Sequence, residues 1–292
     1  MSARTEWSIS EPRKLEFDEG VQALNVRVTG GTVNVVGTCD GGPARLEIGE
    51  VHGEPLTVSY VDGTLSVAYE DLPWKFFKFL DRKGWNRRAE VSVTVPAGTR
   101  VEVGAIGASA VVSGISGRTD IRGVSGDLTL VGLTGRVRAD TVSGSVETQG
   151  VTGEVRFNSV SGDLTMIDGG GGSVRADSVS GDMTLDLDPT TKCADIALTT
   201  VSGEVAIRLP DPADAEVEAN TTSGRVANAF DDLRVNGQWG TRRITGTLGA
   251  GTGRLKVTTV SGGLALLRRP AFEDRQDAAP ADPPADTEKK VL

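Results

Sequence analysis

Val124-Ser125-Gly126-Asp127-Leu128, Val142-Ser143-Gly144-Ser145-Val146, Val160-Ser161-Gly162-Asp163-Leu164, Val179-Ser180-Gly181-Asp182-Met183 and Val201-Ser202-Gly203-Glu204-Val205 are five copies of one pentapeptide. Their glycines fall 18, 18, 19 and 22 residues apart. A weaker second copy lies between them, in Gly135-Arg136-Val137, Gly153-Glu154-Val155 and Gly172-Ser173-Val174. A unit of this length with two short segments is the mark of a stacked-repeat architecture.

The columns of the repeat give its faces. Seven residues before each Ser-Gly glycine stand Thr119, Val137, Val155, Val174, Ile196, Val217 and Leu255, and two residues further on Ile121, Ala139, Phe157, Ala176, Leu198, Ala219 and Val257. After the glycine come Leu128, Val146, Leu164, Met183, Val205, Val226 and Leu264, followed two residues later by a second column that runs from Leu130 to Leu266. A spacing of two is the strand period, with one face buried and one wet. Strands this short bury nothing alone; stacked about 4.8 Å apart they share a hydrogen-bond ladder and a core. The expected fold is all-β, a β-solenoid with two principal strand columns per coil. The Ser-Gly glycines are expected at corners of positive φ. The serine column that starts at Ser125 is expected to satisfy backbone groups there.

Composition agrees. Of 292 residues, 38 are glycine and only 4% are aromatic, a profile of short strands and tight turns. A net charge of −9 argues against nucleic acid as a partner. Cys39 and Cys193 lack metal or redox spacing and read as buried free thiols. The first residues lack an apolar signal core and no window is long enough to cross a membrane, so the expected location is cytoplasmic, with peripheral contact to the inner membrane left open.

Along the chain, residues 1–14 read as a flexible lead-in and 15–103 as an irregular N-terminal β cap. Residues 104–269 read as regular solenoid repeats and 270–292 as a disordered tail. Within the cap, residues 25–28 and 32–35 around Gly30-Gly31, and 57–60 and 64–67 around Asp62-Gly63, both read as hairpins. One segment breaks character. Residues 74–88 hold five of the eleven Phe and Trp residues, Trp74, Phe76, Phe77, Phe79 and Trp85, with the basic Lys75, Lys78, Arg82, Lys83, Arg87 and Arg88. Aromatic plus basic is the composition of a contact with a protein partner or an anionic membrane surface. The competing reading is a cap over the open end of the core.

Candidate chemistry is sparse. His52 is the only histidine, and no Gly-x-Ser-x-Gly elbow or phosphate loop is present, so no catalytic, cofactor-binding or metal residue is assigned. Asp127, Asp163, Asp182 and Glu204 share a corner column, but one carboxylate per turn is too few oxygens for calcium. Arg138, Arg156 and Arg175 form an outward column on successive coils, a candidate anion stripe. Stacked like charges need a counter-charge or an anionic ligand, and Glu147 and Glu154 are the expected compensators.

The Thr/Ser-Val-Ser-Gly-Asp/Glu unit, as in Asp140-Thr141-Val142-Ser143-Gly144 and Thr200-Val201-Ser202-Gly203-Glu204, resembles the bacterial β-strand-repeat family called domain of unknown function 4097. That family is also known as "putative adhesin" and grouped with Toastrack-type domains. The resemblance covers about residues 20–267 and includes Val95-Pro96-Ala97-Gly98. It implies a solenoid-like fold, no catalytic residues, and a place in envelope-stress sensing beside membrane proteins. The expected function is therefore a non-enzymatic scaffold or sensor module that binds a protein or the inner membrane face, with end-to-end homodimers as a further expectation. An adhesin-like surface protein and a carbohydrate-active solenoid enzyme are the alternatives.

Overall fold

The computed structural model of the chain describes residues 5–69, 87–170, 172–191, 195–238 and 240–269. The N-terminal part comprises β1 (Thr5–Ile9), β2 (Arg13–Phe17), the long β3 (Ala23–Thr38), β4 (Ala44–His52), β5 (Leu56–Val61), β6 (Thr64–Ala68), β7 (Arg88–Pro96) and the long β8 (Arg100–Ser113). The repeats then supply two short strands per coil. These are β9 (Thr119–Gly123) and β10 (Leu128–Val131), β11 (Val137–Asp140) and β12 (Val146–Gln149), and β13 (Val155–Asn158) and β14 (Leu164–Gly169). They continue as β15 (Ser173–Asp177) and β16 (Met183–Leu187), β17 (Asp195–Thr200) and β18 (Val205–Leu209), and β19 (Ala215–Thr221) and β20 (Val226–Asn228). A hairpin, β21 (Arg234–Gln238) and β22 (Thr241–Leu248), precedes the last pair, β23 (Gly253–Thr259) and β24 (Leu264–Arg268). No helix occurs among the described residues.

These strands form a β-solenoid with two walls. The first wall runs β1-β5-β6-β3-β8-β9-β11-β13-β15-β17-β23-β19-β22-β21. The second runs β2-β4-β7-β3-β8-β10-β12-β14-β16-β18-β24-β20. One apolar core lies between them, fed by every inward column read from the sequence, with Phe157 the largest side chain fully buried in the coil region.

β3 and β8 belong to both walls. In β3 the buried apolar positions are Leu24, Val26 and Val28, then Val33 and Val35; in β8 they are Val101, Val103 and Ala105, then Ala108, Ala110 and Val112. The alternation changes phase at Gly30-Gly31 and at Gly107, where each strand bends from one wall to the other. Residues 25–28 and 32–35 are therefore not a hairpin but one bent strand, paired along its length with β8. A two-residue turn and a wall-to-wall bend both call for glycine, and only the distant partner strand distinguishes them. The Asp62-Gly63 hairpin is as read: β5 pairs β6, and both turn residues have positive φ, 48° and 73°, as a type I′ turn requires.

The corner itself has a different physical basis from the one expected. The Ser-Gly glycines are not among the residues of positive φ. They are glycines because the next coil is too close. A Cβ on Gly144, Gly162, Gly181 or Gly203 would lie far inside 3.0 Å of the carbonyl oxygen of Gly126, Gly144, Gly162 or Gly181 respectively. Around this contact each residue of the unit has a task. The Ser or Thr three residues earlier accepts the glycine N–H, as Ser159 does from Gly162 at 2.7 Å and Thr200 from Gly203 at 3.1 Å. The corner serine donates to the preceding coil, Ser143 to the Val124 carbonyl at 3.0 Å and Ser161 to Val142 at 3.2 Å. The acidic residue after the glycine accepts the next coil's N–H, Asp163 from Asp182 at 2.8 Å and Asp182 from Glu204 at 2.7 Å.

Chain order and stacking order part company near the C-terminus. β23 and β24 insert between β17/β18 and β19/β20, so the last coil in sequence is the penultimate one in space. The β21–β22 hairpin then lies antiparallel on β19 and, with buried Phe230 and Leu233, closes that end of the core. An ion cluster fastens the inserted coil: Arg269 contacts Asp168 at 2.9 Å, Asp186 at 3.3 Å and the Leu187 carbonyl at 2.8 Å, while Arg208 forms a two-point pair with Asp186. At the other end Trp7, Phe17 and Tyr60 bring the two walls together, with ring centroids 5.8 and 5.6 Å apart. The lead-in read over residues 1–14 thus carries β1 and the start of β2, held as antiparallel edge strands.

Two measurements test this account. Gly162→Ala forces a methyl into the Gly144 carbonyl; it is expected to cost about 3 kcal/mol and lower Tm by about 6–12 °C. Gly98→Ala, with nothing within 4 Å of the added methyl, is expected to leave Tm nearly unchanged; equal losses in both would refute the close-contact explanation. The second concerns Asp186, whose carboxyl is held below its ordinary pKa first by the Arg208 hydrogen bond and then by the charges of Arg269 and Arg208, against burial. A depressed folded-state pKa stabilises in full above the ordinary carboxylate range and ceases to as pH falls through the depressed value. Asp186→Asn is therefore expected to cost up to about 3 kcal/mol at neutral pH, and the gap to wild type in urea denaturation should close on strong acidification. A gap that persists unchanged in acid would assign the loss to packing.

Candidate anion-binding face

β11, β13 and β15 alternate buried and exposed residues on the first wall, so Val137, Val155 and Val174 point inward and the next residues outward. Those outward residues are Arg138, Arg156 and Arg175, in register on neighbouring strands. Neighbouring strands lie about 4.8 Å apart, where like charges repel unless compensated.

Compensation thins along the column. Arg138 Nε donates to Asp140 at 2.8 Å, and Asp140 also accepts from Asn158 Nδ2 at 2.6 Å. The hydrogen bond and then the charge of Asp140 hold the Arg138 guanidinium above its ordinary pKa. Arg156 donates to Glu154 at 3.1 Å, but Glu154 also pairs with Arg136 at 2.8 Å. Arg175 makes no ion pair or hydrogen bond with any described residue. The three arginines, with Asn158 and Asp177, line an open recess of about 240 Å³. Of the two expected compensators Glu154 takes part. Glu147 does not, because it lies on β12 in the opposite wall, in register with Thr129 and Thr165. Asp140, Asn158 and Asp177 were not singled out from sequence, although they hold one repeat position two residues after each arginine.

Of the aromatic-basic candidates, Trp74, Lys75, Phe76, Phe77, Lys78, Phe79, Arg82, Lys83 and Trp85 lie outside the described residues. Arg87 is not a surface contact. It is 7% exposed, pairs with Glu54 at 2.5 Å, lies 5.3 Å over the Tyr69 ring and accepts the Thr29 hydroxyl on its carbonyl at 2.9 Å. Burial raises the Tyr69 phenol pKa against the opposing charge of Arg87. Arg88 is exposed at the start of β7, and both arginines line an open cleft of about 490 Å³ beside the Gly30-Gly31 and Gly107 bends.

The remaining candidates are structural or peripheral. Of the corner carboxylates Asp127, Asp163 and Asp182 are backbone acceptors. His52 ends strand β4, exposed and 4.0 Å from Glu50. Cys39 is exposed rather than buried, and Cys193 lies outside the described residues. The arginine face makes a simple stability prediction. Arg175→Ala is expected to change stability by less than about 0.5 kcal/mol, whereas Asp140→Ala, which strips Arg138 and Asn158 of a shared acceptor, should cost about 1 kcal/mol. Thermal melts of the two variants decide it; a large loss in Arg175→Ala would make that arginine a structural residue.

The model of a family described as Toastrack DUF4097 matches residues 52–267. No curated protein matches the sequence. Solved structures similar to the chain include a "putative adhesin" from Bacteroides fragilis, 14% identical, covering 91% of this chain and 97% of that one at a TM-score of 0.48. A "putative lipid binding protein" from Parabacteroides distasonis is 12% identical, with coverages of 92% and 97% and a TM-score of 0.40. A "putative cell adhesion protein" from Clostridium sporogenes is 11% identical, with coverages of 89% and 100% and a TM-score of 0.30. At these values the likenesses say nothing about ligand or activity.

Proposed function

The chain belongs to the Toastrack DUF4097 family, and from that premise we propose that it is a non-enzymatic β-repeat scaffold that binds an anionic surface, the headgroups of the inner membrane face or an acidic partner protein. Its cytoplasmic placement and a role in envelope-stress signalling belong to the same proposal. The observation that supports it is the in-register column of Arg138, Arg156 and Arg175, whose last member makes no ion pair with a described residue although Asp177 lines the same recess. Arginines in register on neighbouring strands repel one another unless something anionic meets them; the net charge of −9 opposes an anionic partner at long range, so the reading rests on this local column. Planar guanidiniums on a rigid wall suit bidentate recognition of phosphate or carboxylate, and rigidity lowers the entropy lost on binding. The exposed Arg88 and the basic residues of 74–86 add cationic character to the same chain.

Co-sedimentation with vesicles, neutral and with one-third anionic lipid, tests the reading. Wild type is expected to pellet with the anionic vesicles and to be released by salt. Arg156→Ala/Arg175→Ala should lose at least half of the bound fraction at unchanged Tm. If loss follows only Trp74→Ser/Phe76→Ser/Phe77→Ser, the contact is the aromatic-basic segment and the arginine column is not its site. If wild type does not pellet, the membrane reading fails; the acidic-protein reading fails as well if a poly-glutamate probe gives no binding that the arginine variant weakens.

A further inference from the structure

Five corners on successive coils open with a valine that the fold turns outward. Val142, Val160, Val179, Val201 and Val260 are 37%, 51%, 50%, 47% and 47% exposed, whereas the strand valines Val137, Val146, Val155, Val174, Val205, Val217 and Val257 are buried. The corner serines chain these positions coil to coil: Ser161 donates to the Val142 carbonyl, Ser180 to Val160, Ser202 to Val179 and Ser261 to Val201. The valines therefore form one straight apolar ridge, a rung about every 4.8 Å. The corner's hydrogen bonds are made by the Ser, Gly and Ser/Thr of the unit and not by the valine side chains. Beside the ridge, toward the second wall, stand Asp163, Asp182 and Glu204, with Ser145 and Gly263 at the two ends of the row and Asp127 one coil beyond it; the four carboxylates are all exposed. Asp127, Asp163 and Asp182 cap backbone N–H groups, and none of the four has a cationic partner among the described residues.

We propose that this ridge docks a basic amphipathic helix of a partner protein. Charge complementarity selects a basic partner, since the carboxylate row is a repulsive ladder that cations relieve. Spacing selects a helix. One helical turn advances about 5.4 Å, so an i, i+3/i+4, i+7 apolar stripe drifts only about 0.6 Å per rung along the valines. An extended chain lying along the ridge repeats each face about every 6.8 Å and is out of step within two rungs. A second copy fits poorly. It would set acid against acid. The ridge follows from the corner geometry and is independent of the arginine face.

The probe is a fluorescein-labelled 18-residue peptide, helical, with leucines on one stripe and lysines on one flank, titrated with the full chain and read by anisotropy. Wild type is expected to bind in the micromolar range. Val160→Thr/Val179→Thr/Val201→Thr keeps shape and β-propensity and should weaken binding at least tenfold with Tm retained. Asp163→Asn/Asp182→Asn keeps the N–H acceptors; it should weaken binding several-fold and flatten its salt dependence. Arg156→Ala/Arg175→Ala should leave binding unchanged, which separates this surface from the anion-binding one. Equal binding by the threonine variant, or by a scrambled peptide of the same composition, overturns the proposal, because the attraction is then charge alone. So does a concentration-dependent dimer in sedimentation velocity that the threonine variant abolishes, which would make a second copy the occupant.

Discussion

The rest of the structure depends on one close approach, the backbone of each Ser-Gly corner lying against the carbonyl oxygen of the corner one coil away. That contact leaves no room for a Cβ at Gly126, Gly144, Gly162, Gly181, Gly203, Gly262 or Gly224. Once the corners touch, the strands on both walls are brought to ladder distance. The hydroxyls and carboxylates around the glycine then have little choice of partner. The repeated pentapeptide is in this sense a backbone-packing motif. Its serines and acids look like a chemical site in sequence, yet they complete hydrogen bonds that stacked corners leave open.

Stacking identical coils has a second consequence: whatever a coil shows outward is shown again at every rung. The first wall repeats arginine, the corner repeats valine, and the position after the glycine repeats a carboxylate. A compact domain gathers unlike groups at one point, which is what catalysis needs; a solenoid multiplies like groups along a line, which suits binding to extended surfaces. Repetition also produces like-charge ladders whose repulsion must be met. On the arginine column Asp140 and Glu154 meet part of it, and the shortfall at Arg175 gives the proposed anion-binding role its physical basis.

A repeat stack must also end. At the N-terminal end antiparallel β1, β2, β4 and β5 lie outside the parallel walls, and Trp7, Phe17 and Tyr60 bridge them. At the other end the chain turns back: β23 and β24 slip inside the previous coil and leave the β21–β22 hairpin outside. Arg269 ties that returning coil to Asp168 and Asp186, charges from two earlier coils. Both ends thus spend irregular sequence on covering core and edge, as open sheets require.

The sequence by itself determined the two strand columns, the inward residues of each coil, the outward arginines and their register. All of these are periodic, and a period of two within a period of about 18–22 admits one arrangement. It also placed the Asp62-Gly63 hairpin, whose turn chemistry is local. Only the tertiary structure decided what depends on a distant partner. The bend of β3 across both walls carries the same glycine pair as a hairpin. The buried Arg87 belongs to a segment that reads as surface. The reason for the corner glycines lies in another coil rather than in their own φ. Above all, the stacking order of the last coils was not legible, because every coil offers its neighbours the same backbone edge and nearly the same apolar columns. Leu198, Val257 and Ala219 are interchangeable as seen from the strand alone. The choice among them is made by the closing hairpin and the Arg269 cluster, contacts between residues as far apart as 101 positions in the chain.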